Sequence, residues 1–209
     1  KINGSFDGLV PESLIITDRG NTVTLLPREI GDENPVPFIA DVIISCQVLH
    51  HLGGEPGVVK LLTEASKCSK LGSKLIINWT PPEQIVSFWY LQHMPELIGD
   101  FNNRTVAICR LVFIAEAFGW EVELVKAHNG KEETLQDYET YCNFKSVLDE
   151  EVRTGDSMFS LLSPSKLDEF LEMIRKMDVL EGQKMFNTLD IHRQVLGQST
   201  TIVFNRKKN

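Results

Sequence analysis

A short segment from Asp41 to Leu52, with the sequence DVIISCQVLHHL, carries several side chains that can do chemistry. Histidine is the side chain whose ordinary titration range lies near neutral pH, so His50 and His51 can take up or release a proton. Gln47 offers both a hydrogen-bond donor and an acceptor. Because these residues directly follow an apolar run, the pattern predicts that they lie just after a strand, where an α/β sheet places its ligands.

The strand that would position these residues is predicted from Val42 to Ser45. A continuous β-branched run without polar alternation is typical of a strand buried on both faces of a parallel sheet. Open α/β sheets bind their ligands in the crevice beyond the carboxyl ends of the strands. We therefore expect Val42–Ser45 near the centre of such a sheet, with the following loop in the crevice.

A second chemical signal is a pair of carboxylates, Asp32 and Glu33, which follow Gly31 shortly before the predicted strand. A carboxylate at a strand end can accept a hydrogen bond from the exocyclic amine of adenine or from ribose hydroxyls. The alternative interpretation is an ordinary acidic turn. The position of the pair just before the DVIIS strand favours the ligand-binding interpretation.

The remaining elements alternate between helix and strand. Apolar residues at helical spacing, with Pro56 in a first turn and Gly72 as a C-cap, predict one helix, and short buried runs predict strands. This alternation predicts an α/β fold with a mostly parallel, Rossmann-like sheet. The predicted helices cover 56–71, 105–118 and the segment after Ser163, and the further strands are Lys74–Asn78, Trp120–Val125 and Ser199–Phe204.

Two regions have a weaker pattern. The β-prone runs Leu14–Thr17 and Val23–Leu26 are compatible with a hairpin or with two separate strands. The acidic segment that begins at residue 128 has little periodicity, and we expect 128–198 to form a helical and loop insertion before the last strand. Residues 1–209 are interpreted as a single, partial domain.

Composition limits the classes of partner. Acidic residues outnumber basic ones by 29 to 21, for a formal net charge of −8, which disfavours nucleic acid or an anionic membrane surface and favours a small-molecule substrate. The four cysteines show no CxxC spacing, so neither a metal site nor a disulfide framework is expected, and a reducing cytoplasm is the simplest location. No apolar run approaches the roughly 20 residues that span a bilayer. The sequence does not determine an oligomeric state.

The segment GDENPVPFIADVIISCQVLHHL, followed by a helix and by KLIINW, resembles the class I S-adenosylmethionine-dependent methyltransferases. Within that superfamily the nearest similarity is to the histamine N-methyltransferase-like proteins. It is carried by Cys46-Gln47, by Phe88-Trp89-Tyr90, by Tyr141-Cys142-Asn143-Phe144 and by the ending VLGQSTTIVF. The resemblance implies S-adenosylmethionine as the cofactor and a last strand that is antiparallel and lies at the far side of the sheet.

The chain departs from this family at its N-terminal end. The family has a glycine-rich turn after its first strand, where the backbone closely approaches the cofactor and only small residues fit. The sequence contains no GxGxG, and it begins at Lys1 rather than at methionine. We therefore expect a sheet truncated on its N-terminal side, with residues 14–26 covering the edge of the Val42–Ser45 strand that is otherwise unpaired.

The resemblance implies a role for individual residues of this chain. The residues that would bind the cofactor are Asp32 and Glu33, beside its adenine, and Cys46 and Gln47, beside the remainder of the cofactor. Around the substrate the residues are Gln47, His50, His51, Trp89, Phe144 and Ser199, with His51, or alternatively His50, as the catalytic base. No metal-binding constellation is visible in the sequence, so no metal is expected.

The implied reaction is direct methyl transfer to a small-molecule acceptor, most simply an amine, which must be neutral when it attacks. One alternative is an O-methyltransferase of small carboxylic acids, for which Arg104 or Arg110 would supply the basic residue. Another alternative is an inactive, truncated methyltransferase fold that serves as a binding module, which the missing glycine-rich turn favours.

Overall fold

The structure is a computed structural model that describes residues 14–18, 21–25 and 39–207. The strands are β1 (Leu14–Asp18), β2 (Asn21–Leu25), β3 (Ala40–Cys46), β4 (Ser69–Trp79), β5 (Trp120–His128) and β6 (Ser199–Arg206). The helices are α1 (Glu55–Lys67), α2 (Pro95–Arg104), α3 (Ile108–Ala117), α4 (Tyr138–Cys142), α5 (Glu150–Thr154), α6 (Pro164–Lys176), α7 (Val179–Leu189) and α8 (Ile191–Leu196). Short 3₁₀ helices cover Leu49–His51, Pro82–Ser87, Trp89–His93, Phe144–Leu148 and Phe159–Leu161.

The main sheet has four strands in the order β3-β4-β6-β5. β3 is parallel to β4, whereas β6 is antiparallel to both of its neighbours, so β3, β4 and β5 run in one direction. This confirms an α/β fold with an antiparallel last strand. The expectation that the last strand lies at the far side of the sheet is wrong, because β6 is inserted between β4 and β5 and its residues Ile202 and Phe204 are fully buried.

β3 corrects two further expectations. Among the described residues it pairs with β4 alone, so it is an outer strand of the main sheet rather than a central one. Its side chains are not buried on both faces, since Val42 is 50% exposed and Ile44 is 69% exposed. The β-branched run predicted a strand correctly, but burial on the second face depends on which elements pack there, and the run itself carries no information on that.

The two N-terminal strands pair with each other. β1 and β2 form a separate antiparallel two-stranded sheet in which Leu14 lies opposite Leu25 and Asp18 lies opposite Asn21. The hairpin alternative is therefore the correct one. Within the described ranges no strand pairing joins this hairpin to β3, so the expected covering of the β3 edge by residues 14–26 does not occur through a shared ladder.

The boundary between α1 and β4 also differs from the sequence-based expectation. α1 ends at Lys67, and β4 already begins at Ser69, so Gly72 lies inside the strand and does not cap the helix. The pairing of β3 with β4 shifts register between Ala40 and Val42, and Gly72 adopts φ +84° within the extra residues of β4. A β-bulge creates such a need for positive φ, which glycine meets without strain.

Two hydrophobic clusters hold the elements together. The first packs α1 and α3 on one face of the main sheet, around Leu62, Leu75, Ile77, Leu111 and Phe204. The second lies under the segments that connect β4 to α2 and β5 to β6, and it is rich in aromatic side chains: Phe88, Trp89, Tyr90, Tyr141, Phe144, Phe159, Phe170 and Phe186. This second cluster fixes the helical cover over the carboxyl ends of β3 and β4, where the polar residues of interest lie.

Candidate active site

A pocket of about 370 Å³ opens beyond the carboxyl ends of β3 and β4. Gln47 enters it directly after β3, and Thr80 enters it directly after β4. This is the position at which an open α/β sheet binds its ligands. The residues that line the pocket are Gln47, His50, His51, Thr80, Ile85, Phe88, Phe101, Leu135, Gln136, Thr154, Gly155, Asp156, Ser157 and Met158. The structure thus brings together Gln47, His50 and His51, as the sequence predicts.

The two histidines lie on the short 3₁₀ helix Leu49–His51, with their ring centroids 4.0 Å apart. His50 also contacts Phe101, at 5.7 Å between centroids, and its Nδ1 is buried with no hydrogen-bond partner among the described residues. Burial, and secondarily the charge of His51, lowers the pKa of His50 to about 4. His50 is therefore neutral at physiological pH and holds a proton poorly, whereas His51 is the more exposed ring.

A carboxylate, Asp156, lies in the same pocket wall. Its Oδ2 accepts hydrogen bonds from the Tyr90 hydroxyl and from Gln136 Nε2 at 3.2 Å, and its Oδ1 accepts one from the backbone N–H of Met158 at 3.0 Å. Desolvation by the surrounding side chains raises the pKa of Asp156, and the three donors oppose that rise. Burial, together with the neighbouring carboxylate, raises the pKa of Tyr90 well above its usual value, so its hydroxyl keeps its proton and remains a donor.

Sequence reasoning missed Asp156, Tyr90 and Gln136. Asp156 stands in an acidic segment with little periodicity, and nothing in its sequence neighbourhood distinguishes it from the other acidic residues of the chain. Tyr90 was noted only as part of an aromatic segment. These residues meet at the pocket wall through long-range folding, since Tyr90 and Asp156 are 66 positions apart in the sequence.

Asn78 is a further residue that the sequence did not single out, although it ends the predicted strand KLIIN. Its backbone carbonyl accepts a hydrogen bond from the backbone N–H of Gln47 at 2.7 Å. Its side-chain Oδ1 accepts one from Gln47 Nε2 at 2.8 Å and lies 3.7 Å from the Sγ of Cys46, which is exposed. Two neighbouring parallel strands therefore fix the loop that carries Gln47.

Three predicted substrate-binding residues lie elsewhere. Trp89 is buried in the helical cover, with its ring edge-on to Tyr90 and to Phe186. Phe144 is buried in the same cluster, against Gly182, where even a Cβ atom would come within 2.1 Å of its ring. Ser199 is buried at the start of β6, with its Oγ 3.4 Å from Asn78 Nδ2. None of the three is among the residues that line the pocket.

The predicted adenine-binding pair, Asp32 and Glu33, lies outside the described residues. Within 14–18, 21–25 and 39–207, no group of three or more histidine, cysteine or acidic side chains is arranged to hold a metal ion. Over the same ranges, no helix has both the length and the apolar character required to cross a membrane.

The sequence matches no protein-family model and no curated protein. Among solved structures, the chain superimposes with a TM-score of 0.59 and 17% identity on a protein from Anabaena variabilis that is provisionally named as a methyltransferase of an antibiotic-biosynthesis pathway. The alignment covers 81% of this chain and 69% of that one. The chain has the fold of the class I S-adenosylmethionine-dependent methyltransferases.

Two more distant structures belong to the same comparison. A protein from Galdieria sulphuraria, provisionally named as a sarcosine dimethylglycine methyltransferase, aligns with a TM-score of 0.44 and 11% identity over 82% of this chain. Phosphoethanolamine N-methyltransferase 2 from Haemonchus contortus aligns with a TM-score of 0.40 and 13% identity over 80% of this chain. The chain spans 56% and 33%, respectively, of the length of these two proteins.

Proposed function

We propose that this chain takes part in the transfer of a methyl group from S-adenosylmethionine to a small-molecule amine bound in the pocket. The methyltransferase fold supports the reaction class and the cofactor. The pocket volume of about 370 Å³ lies within the range of small-molecule sites. S-adenosylmethionine, when bound, supplies an electrophilic methyl group on a sulfonium, so the protein must align the acceptor and exclude water.

The observation that favours an amine is the charge of the pocket wall. Its described lining includes the carboxylate of Asp156 and contains neither lysine nor arginine. Arg110, one of the two basic residues considered for a carboxylic-acid substrate, is paired on the surface with Glu55 at 2.7 and 2.9 Å, and Arg104 is exposed at the end of α2. A carboxylic acid would therefore meet a like charge without a compensating cation, whereas an amine would be attracted.

The residues that fit the cofactor and acceptor combine polar and apolar groups. Gln47, Thr80 and the buried Nδ1 of His50 can hydrogen-bond to polar atoms of a ligand, while Phe88 and Phe101 supply apolar walls that exclude water. The adenine contact of Asp32 and Glu33 remains part of this proposal, as does the placement of Cys46 beside the cofactor.

Each residue of the pocket has a distinct part in the proposed step. Asp156 attracts the amine and accepts a hydrogen bond from it, and Gln47 orients it. An amine attacks only through a free lone pair, so a proton must leave the ammonium form, and His51 is the base to which we assign that proton. His50, neutral and partly enclosed, serves as a hydrogen-bonding group because a pKa of about 4 makes it a weak base.

A methyl-transfer assay with S-adenosylmethionine over a panel of small amines and small carboxylic acids tests this proposal. We expect turnover with amines, a lower kcat with a changed pH dependence in His51→Gln, and a smaller effect on kcat in His50→Gln. Turnover confined to carboxylic acids would refute the amine assignment.

A binding module without activity is the second candidate function, and it is supported by the absence of a GxGxG turn in the sequence. Tight binding of S-adenosylhomocysteine without turnover of any acceptor would favour it over the enzyme.

A further inference from the structure

A chain of polar side chains crosses the main sheet and ends at the pocket. It begins at Glu133, whose carboxylate lies 3.4 Å from Nδ1 of His128 at the end of β5. His128 Nε2 lies 2.7 Å from Thr201 Oγ1 on β6, which accepts a hydrogen bond from Asn78 Nδ2 at 2.9 Å. Asn78 Oδ1 then accepts the hydrogen bond from Gln47 Nε2 at 2.8 Å. Five side chains from three strands and two loops are thus connected.

In this series of hydrogen-bonded side chains, each bond fixes which group donates and which accepts in the next one. Gln47 turns its NH₂ group toward Asn78, and an NH₂ group can only donate. Asn78 must therefore present its oxygen to Gln47 and its own NH₂ group to Thr201. The Thr201 oxygen is then an acceptor, and its proton is directed to Nε2 of His128. The neutral His128 ring therefore carries its proton on Nδ1, the nitrogen that faces the Glu133 carboxylate.

The pocket end of the chain lies on a backbone conformation that needs support. Gln47 has φ +52°, a left-handed conformation that is uncommon for a residue with a Cβ atom. Asn78 holds this residue twice, through the backbone bond of 2.7 Å and through the side-chain bond of 2.8 Å. Such conformations persist where the surroundings over-determine them, and they are concentrated at functional sites.

We propose that Asn78, Thr201 and His128 are positioning residues that hold the Gln47 amide with its oxygen toward the pocket. Gln47 then acts as a hydrogen-bond acceptor and selects ligands that offer an N–H or O–H donor at that point. If His128 carried its proton on Nε2, every donor and acceptor in this series of hydrogen bonds would be exchanged. Gln47 would then turn its NH₂ group, rather than its oxygen, toward the pocket. The tautomer of His128, at the far side of the sheet, thus determines whether Gln47 offers a hydrogen-bond acceptor or a donor to the ligand.

The first test requires no activity and does not depend on the proposed function. Nitrogen NMR of the ¹⁵N-histidine-labelled chain, recorded on the neutral ring, distinguishes a protonated Nδ1 from a protonated Nε2. We expect His128 to carry the proton on Nδ1, and Thr201→Val to move the Nε2 resonance because its hydrogen-bond donor is lost. In the control Thr188→Val, the lost hydroxyl bonds within its own helix, to the Lys184 carbonyl, so the His128 signals should stay in place. A neutral His128 protonated on Nε2 would overturn the proposal.

The second test rests on the proposed function and measures coupling to Gln47. Thr201→Val should raise the KM of the acceptor by about three- to tenfold, the loss that corresponds to one hydrogen bond, with a smaller change in kcat. In the Gln47→Ala background the same change should have no further effect on KM. An undiminished effect in that background would show that Thr201 acts on the fold alone and would refute the positioning role. If no variant turns over any acceptor, the proposed function fails, and the tautomer of His128 decides this inference by itself.

Discussion

Two side chains of the pocket, His50 and Asp156, and the buried Tyr90 behind Asp156 have protonation equilibria that differ from those in water. Burial lowers the pKa of His50, and it raises those of Asp156 and Tyr90. Each shift favours the uncharged form of its group, as desolvation requires. The hydrogen bonds to Asp156 counteract this tendency, because they favour its carboxylate form.

At the residue scale, Asp156→Asn should raise the KM for an amine acceptor by roughly 10- to 100-fold, because a charged hydrogen bond contributes about 1.5 to 3 kcal/mol. Steady-state kinetics over several amine concentrations would measure the change. Asp168→Asn, an exposed substitution of the same chemistry on α6, provides the control and should leave KM unaltered. An unchanged KM in Asp156→Asn would remove this carboxylate from the substrate site.

The pKa of His50 also predicts a pH dependence of stability. Its pKa falls from 6.5 to about 4 on folding, so below pH 6.5 the unfolded chain binds more protons than the folded one. The free energy of unfolding should therefore fall as the pH decreases from 6.5 to 4. After allowance for the partial exposure of this ring, we expect a contribution of about 1 to 2 kcal/mol.

Denaturant titrations at several pH values, compared between the unmodified chain and His50→Gln, isolate this contribution. The variant should lose less stability than the unmodified chain across the same interval. Parallel pH profiles for the two proteins would contradict the assigned shift.

At the scale of elements, α8 is held by a buried ion pair between Asp190 and Arg193, whose side chains are 3% and 4% exposed. Two bonds of 2.6 and 2.8 Å join their charged groups, and Arg193 also donates to the carbonyls of Asn129 and Gly130. This pair connects α8 to the segment that leads into Leu135 and Gln136. The ion pair therefore stabilises the segment that brings Leu135 and Gln136 to the pocket wall.

Removing one member of this pair should be costly. Arg193→Met leaves the Asp190 carboxylate buried without its cation, and we expect a loss of about 3 to 5 kcal/mol in the free energy of unfolding. In Arg175→Met the exposed pair with Glu172 is removed, and the loss should stay below about 1 kcal/mol. Equal losses in urea denaturation would show that the Asp190–Arg193 pair does not stabilise the fold.

At the scale of the whole molecule, the methyltransferase fold leads to a prediction about cofactor binding. A ligand that binds only the folded chain stabilises it by about 2.7 kcal/mol when present at 100 times its Kd. We expect S-adenosylhomocysteine to raise the unfolding temperature accordingly.

Asp32→Ala should weaken the binding of S-adenosylhomocysteine, measured by calorimetry, by about 1 to 3 kcal/mol, because a hydrogen bond to adenine is lost.

The two measurements separate the remaining alternatives. Equal affinity of both proteins for S-adenosylhomocysteine would exclude Asp32 from the cofactor site. Failure of the unmodified chain to bind this ligand at all would argue against cofactor-dependent methyl transfer by the chain.

The features that depend on local patterns could be predicted from the amino-acid sequence alone. Helical periodicity with a Ser163 cap located α6, whose N-cap side chain accepts from the backbone N–H of Lys166, and β-branched runs located β3, β4 and β6. Gln47, His50 and His51 follow β3 and line the pocket beyond its carboxyl end. Their placement could be predicted without any knowledge of strand order, because the carboxyl end of a strand is defined by the chain itself. Their roles in binding and proton transfer stay predictions.

The features that depend on contacts between distant residues could not be predicted in this way, because they arise only when the chain folds. Strand order placed β3 at the outside of the described sheet and β6 inside it, since pairing energies do not appear in a local pattern. The aromatic residues Trp89 and Phe144 were assigned to the core because neighbouring helices bury them, although their type suits a pocket equally well. Asp156 meets Tyr90 and Gln136 only when the helical cover folds over the sheet. The burial that raises its pKa comes from the same folding and not from its sequence position.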